Sequence, residues 1–254
     1  MRLSELDPLS SGPDAKWFGI RVHKFLQDWQ AAGLTEAAFD AELAALRSDP
    51  ALDSLASAFW LPRIEPSLRW AAERVWASRD ERWPVANEVR GELVVDGIRL
   101  YGTADRVDQT ADGTLAIVDY KTGAAPSAKS TGDGLNSQLG LLGLLAEEAG
   151  LGDLAPETVD AFEYWSLKAD RAKGTNGSVA PTHGGRRKLK TAEDAVARAY
   201  DAFAELTAAY LLGDGFFAPG DSAKRYADFD QLMRRDEWFG RGDADDRADE
   251  ERPI

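Results

Sequence analysis

The chain has 254 residues, 44% of them hydrophobic, enough for one large domain with a proper interior. It contains no cysteine, which excludes disulfides, thiolate zinc sites and any iron–sulfur cluster held by cysteine. Its formal charge of −14 argues against a protein that coats nucleic acid non-specifically, because that behaviour needs a net cationic surface.

The opening stretch, MRLSELDPLSSGPD, has no apolar h-region, and no window approaches the roughly 18 uninterrupted apolar residues of a spanning helix. A soluble, cytoplasmic protein with no membrane partner is the expectation. Helical periodicity dominates the next third. DAKWFGIRVHKFLQDWQAAG opens with Asp14 as an N-cap and closes at Gly33, Thr35 and Glu36 open a second helix, and further helix follows between Pro50 and Trp83.

The period then changes. Val85–Val95, Ile98–Asp108 and Thr114–Thr122 read as three antiparallel strands, separated by Asp96-Gly97 and by a turn ending in Asp112-Gly113. A loop leads to a helix from about Leu135 to Ala149, then come a strand near Val159–Leu167, a Gly-rich irregular segment, and a helix from Thr191 to about Leu212. The expected architecture is a mixed α/β core with an N-terminal helical region packed beside it.

Gly123–Ser130, GAAPSAKS, nearly spells a phosphate-binding loop, but Ala128 replaces the glycine that lets backbone approach phosphate and Pro126 removes an amide hydrogen. It is therefore not read as an NTPase motif. In the irregular segment Lys168, Arg171, Lys173, Arg186, Arg187, Lys188 and Lys190 face one acid, Asp170, a local charge of +6. Either this is a solvated loop or it draws an anionic backbone towards an otherwise acidic molecule. Residues 239–254 are acidic and lack aromatics after Phe239, which predicts a disordered tail.

Turn geometry predicts register. If Asp96-Gly97 is a two-residue type I′ turn, Val95 pairs with Ile98 and Glu88 falls opposite Asp105. If Ala111-Asp112-Gly113 is a three-residue loop with Gly113 in the left-handed region, Thr110 pairs with Thr114 and Asp105 falls opposite Asp119, with Lys121 two residues along on the same side. Glu88, Asp105 and Asp119 would then form a row of acids across three strands. Like charges placed opposite one another repel, so the row makes sense around a cation, and oxygen ligands suit a hard ion such as Mg²⁺ or Mn²⁺. Lys121 can neutralise part of the charge and position a water or a phosphate oxygen. The alternative is a solvated sheet face with an ordinary Asp119–Lys121 surface pair; a two-residue loop at Asp112-Gly113 would even put Asp105 and Asp119 on opposite faces.

IVDYKTG, preceded fourteen residues earlier by the aspartate of GTADRVD and followed by QLGLL, resembles the PD-(D/E)xK nucleases of the RecB type and, among these, the carboxy-terminal nuclease domain of AddB. That pattern combines a G-x-x-D-R-x-D strand, a D-Y-K-T-G strand end, a Q-x-x-x-Y helix and an upstream G-x-x-x-H-x-x-L helix, matched here by GIRVHKFL with His23. The LDPL that precedes it also fits, and the likeness runs from about Leu6 to Trp238. The resemblance implies a restriction-endonuclease-like core over residues 85–238, behind a helical region over 1–84. It further implies Asp105 and Asp119 as metal-binding acids, Lys121 as catalytic lysine, His23 as a further metal ligand, Glu88 as a first-strand acid, and Gln138 at the DNA-facing end of its helix. The function it implies is a Mg²⁺- or Mn²⁺-dependent deoxyribonuclease, exonucleolytic on single strands, acting in double-strand-break repair and recombination with an AddA-like helicase partner. The alternative is a catalytically silent module of the same fold that binds DNA or a helicase subunit. Two departures stand out: Leu142 occupies the tyrosine position of Q-x-x-x-Y, and the cysteine quartet that holds an iron–sulfur cluster in some relatives is absent.

Overall fold

The computed structural model describes residues 15–52, 54–170 and 173–215. Asp14, Arg171 and the segment 239–254, on which expectations were placed, lie outside the described residues. The chain divides into two compact units, Ser11–Thr207 and Met1–Ser10 with Ala208–Ile254.

Three helices come first, α1 (Ala15–Ala31), α2 (Glu36–Arg47) and α3 (Ser54–Ala77). Thr35 caps α2 by accepting from the Ala38 amide, and Glu36 and Arg47 lie at the ends that favour their charges. A five-stranded sheet follows, ordered β1 (Arg82–Val95), β2 (Ile98–Thr110), β3 (Leu115–Lys121), β4 (Val159–Ser166) and β5 (Ser178–Pro181). β3 and β4 run parallel, joined through α4 (Ala128–Gly132) and α5 (Gln138–Glu148), while every other pairing is antiparallel. Helix α6 begins at Ala192.

Both turns adopt the expected geometry. Asp96 and Gly97 have φ of 50° and 79°, and Val95 pairs with Ile98. Gly113 has φ 91°, the Thr110 amide donates to the Thr114 carbonyl at 2.9 Å, and the ladder continues from Gln109–Leu115 to Arg106–Val118. Three differences have local causes. β1 starts at Arg82, ahead of the expected Val85, because an edge strand tolerates Pro84 at a bulge between Pro84 and Ala86. The irregular segment contains β5, whose four residues show too little alternation to be seen in sequence. Ser127 caps the short α4 with a hydrogen bond from the Ser130 amide, which is the structural role of the pseudo-phosphate-loop stretch.

The sheet separates two apolar layers. α1, α2 and α3 bury Phe18, Val22, Trp29, Phe39 and Leu68 on the face that carries Val118, Tyr120 and Trp165. α5 and α6 bury Leu139, Leu142, Leu145 and Val196 against Val107, Leu115, Ile117 and Phe162 on the other. Strand β3, central and covered on both sides, is buried from Leu115 to Tyr120. That explains the continuous apolar run and makes its closing Asp119 a buried acid, 2% exposed.

Candidate metal and catalytic site

The acids meet at the end of the sheet where β3 runs out beside α1. The β1–β2 register brackets Glu88 and Asp105 between the pairs Asn87–Arg106 and Val89–Ala104. Glu88 is held at φ 44°, a conformation that costs a non-glycine residue energy and that concentrates at functional positions. Asp105 lies one step past the last β2–β3 ladder pair, Arg106–Val118, and its Oδ2 takes the amide of Tyr120 at 2.8 Å.

His23, on α1, closes the group. Its Nε2 lies 3.1 Å from the Tyr120 carbonyl, and its Nδ1 lies 3.5 Å from Asp105 Oδ2 and 3.7 Å from Glu88 Oε1. A carbonyl can only accept, so Nε2 carries the proton of this bond and, in the neutral ring, Nδ1 presents its lone pair to two carboxylates. One ligand atom from each of His23, Glu88 and Asp105 lies within 4.8 Å of the others. Three acceptor groups, two of them carboxylates, facing one another suit a divalent cation.

Asp119 stands outside that trio. Its Oδ1 accepts from Gln138 Nε2 at 2.7 Å, and its Oδ2 is paired with Lys121 Nζ at 2.7 Å. Gln138 opens α5, and its Oε1 also accepts from Lys121 Nζ at 3.4 Å. The helix residue expected to face DNA is thus tied to the acid and the lysine. Burial raises the Asp119 carboxyl above its ordinary pKa, against the pull of Lys121. Burial also pushes Asp105 up, to about 6, aided by the negative charge of Asp119 and opposed by His23.

Two groups beside this site were not visible in sequence. Tyr164, in register with Asp119 across the parallel β3–β4 pair, places its ring 5.7 Å from Lys121 Nζ and donates its hydroxyl to Asn136 at 2.6 Å. Arg106 and Asp108, two residues apart on the opposite face of β2, form a buried ion pair with Nε 2.8 Å from Oδ1 and one hydrogen bond to Oδ2 at 3.0 Å, with Arg106 also bound to the Tyr120 hydroxyl and lying over Trp165. Arg82 joins Asp108 to Glu163, and burial of Glu163 is outweighed by Arg82, which holds its pKa low. The i, i+2 spacing of Arg106 and Asp108 puts both charges on one face of β2, while the burial that pairs them is set by contacts distant in sequence.

Leu142, at the tyrosine position, is buried against Gly102, whose position has only 3.0 Å from an ideal Cβ to Leu142 Cδ2. Three of the basic residues, Arg186, Arg187 and Lys188, line one pocket beside Lys129. Lys168 and Arg186 are exposed, Lys173 pairs with Asp170, Lys188 with Asp133, and Lys190 and Arg187 bind carbonyls of their own loop.

The five-stranded mixed sheet with helical layers and an acid-and-lysine strand end is a restriction-endonuclease-like α/β fold. The chain belongs to the PD-(D/E)XK nuclease superfamily, whose sequence profile matches residues 1–226. Membership makes it a nuclease with DNA as its substrate class. No curated protein matches the chain. Among the described residues no helix is long and apolar enough to cross a membrane.

Proposed function

We propose that the chain is a Mg²⁺- or Mn²⁺-dependent deoxyribonuclease of the RecB and AddB type. It cuts single strands exonucleolytically during cytoplasmic double-strand-break repair, alongside an AddA-like helicase subunit, with residues 1–84 supplying His23 to a core over 85–238. The observation that carries the hydrolytic reading is the meeting of His23, Glu88 and Asp105 beside the Asp119–Lys121 pair. The exonucleolytic, repair and helicase parts rest on the motif likeness.

A cation held by His23, Glu88 and Asp105 would polarise the scissile phosphate and make bound water more acidic. The residues do the rest. Tyr120 fixes Asp105 through its amide and His23 through its carbonyl. Asp119 and Gln138 hold the Lys121 ammonium, which would orient the attacking water and offset negative charge growing on the phosphate oxygens. In the net step the water oxygen bonds to phosphorus, one ester P–O bond breaks, and the leaving sugar oxygen ends protonated.

The test is cleavage of a labelled single-stranded oligonucleotide with Mn²⁺, comparing the parent with Asp119→Ala and Lys121→Ala. Cleavage by the parent that both variants lose supports the assignment. Absence of cleavage in the parent, or its persistence in both variants, favours the silent DNA-binding module.

A further inference from the structure

A cleft of about 1010 Å³ opens beside the site, between α1, α3 and the ends of β3 and β4. We propose that it is the channel along which a single-stranded polynucleotide approaches Lys121, with a base stacked at Trp60 and the phosphate backbone on Arg63 and Lys168. The idea rests on the nuclease reading for its endpoint and adds the path.

Continuity is the first argument. Thr122, the next residue after Lys121, lines the cleft, and so does Phe18, five residues before His23 on α1. At 1.5 Å per residue, Phe18 and His23 are about 7.5 Å apart along the helix. Between them α1 passes close to the residue that follows β3: an ideal Cβ on Gly19 would lie 3.6 Å from Thr122 Oγ1. The two elements that build the metal-ready cluster therefore also wall the cleft. Its floor is rigid, because the Leu167 amide donates to the Lys121 carbonyl and the Ser166 hydroxyl to the Gly123 carbonyl, each at 2.7 Å.

Chemistry is the second. Trp60 is half-buried and supported on one side by Phe18, with centroids 4.1 Å apart and planes within 23°. Arg63 is exposed and stacked on the half-exposed Phe59, 3.5 Å from its centroid. Lys168 is exposed on the opposite wall, and the acid that lines the cleft, Asp170, is paired with Lys173 at 3.1 Å. A groove with two exposed cations and a fixed aromatic platform, in a chain of charge −14, matches the way unpaired strands are bound. A duplex keeps its base faces stacked inside and offers the platform nothing.

The measurement is fluorescence anisotropy of fluorescein-labelled oligothymidylate with the full chain in EDTA, so that nothing is cut. Trp60→Ala should weaken binding five- to hundredfold. Arg63→Glu and Lys168→Glu should weaken it and flatten its salt dependence. A duplex of the same length should bind more weakly and ignore Trp60→Ala. Because Trp60 also supports Phe18, circular dichroism checks its folding, and the two surface variants decide the matter if it fails. Parent-like affinity in Arg63→Glu and Lys168→Glu, no binding by the parent, or equal loss of duplex binding overturns the channel. If those surface variants bind like a parent that cleaves with Mn²⁺, only the channel falls. If binding depends on the cleft but the parent never cleaves, only the nuclease reading falls.

Discussion

Tyr120 and His23 are joined main chain to side chain: the Tyr120 carbonyl accepts a hydrogen bond from His23 Nε2 at 3.1 Å, turning Nδ1 towards Asp105 and Glu88. The same residue holds Asp105 through its amide at 2.8 Å, so the main chain of one residue orients two of the three acceptors. His23→Gln keeps bulk and polarity but cannot place a lone pair where Nδ1 lies. It should weaken Mn²⁺ binding, read by calorimetry or paramagnetic resonance, at least ten- to hundredfold, the loss typical of groups that merely orient ligands. Unchanged affinity would show that the imidazole is structural.

The buried acids predict opposite pH responses with and without metal. With the Asp105 carboxyl at about 6 in the folded state and 3.8 as its ordinary value, the metal-free fold binds the extra proton. Its contribution to stability is complete below about 4 and is lost as pH rises through 6, on the order of 3 kcal/mol at about 1.4 kcal/mol per pH unit. Metal binding needs the carboxylate, so affinity should fall as pH drops below 6. The rise in Tm on adding Mn²⁺ should therefore be larger at pH 7.5 than at pH 5. Gln138 works in the same direction as Lys121 to keep Asp119 charged. Gln138→Leu should accordingly move the acid limb of cleavage to higher pH, and an unmoved limb would separate Gln138 from the chemistry.

The row of acids was legible because turn chemistry fixes register. A two-residue loop of Asp96-Gly97 and a three-residue loop ending in Gly113 leave one alignment each, and with it the shared face of Glu88, Asp105 and Asp119. What escaped depends on contacts distant in sequence. Asp119 is claimed not only by Lys121, its neighbour on the same face, but by Gln138, a contact that no strand count reveals, whereas Glu88, carried over on the weakest motif, joins His23 and Asp105. β5 and Tyr164 enter only through the parallel crossover, which places β4 next to β3. The basic residues form a cluster in composition; in space Lys173 and Lys188 meet nearby acids, and Arg186, Arg187 and Lys188 line one pocket with Lys129.

Arg106 and Asp108 are each no more than 2% exposed, so removing one partner leaves a buried charge uncompensated. Asp108→Ala should cost about 3–5 kcal/mol in urea unfolding. The double variant Arg106→Leu with Asp108→Leu should recover a good part of that loss, because it leaves no orphan charge, although Arg82 keeps Glu163 as a partner at 2.6 Å. Equal losses in the single and double variants would mean that the pair contributes mainly through Tyr120 and Trp165, which Arg106 also contacts.

Leu142 lies one helical turn beyond Gln138, and it faces Gly102 of β2, inside the layer that α5 and α6 bury. Leu142 is buried and its Cδ2 already fills the space that a Cβ on Gly102 would take, so a longer ring has to push into the α5–β2 contact. Leu142→Tyr should therefore act as overpacking, lowering stability by about 1–3 kcal/mol without raising cleavage. The neighbourhood of Lys121 is already furnished from β4 by the Tyr164 ring at 5.7 Å. Replacing that ring in Tyr164→Leu should lower turnover more than Leu142→Tyr does, when both are compared at saturating Mn²⁺ with thermal melts to correct for unfolding. If Leu142→Tyr instead raises turnover at unchanged stability, the α5 position reaches the strand end after all, and β4 is not the source of the aromatic wall.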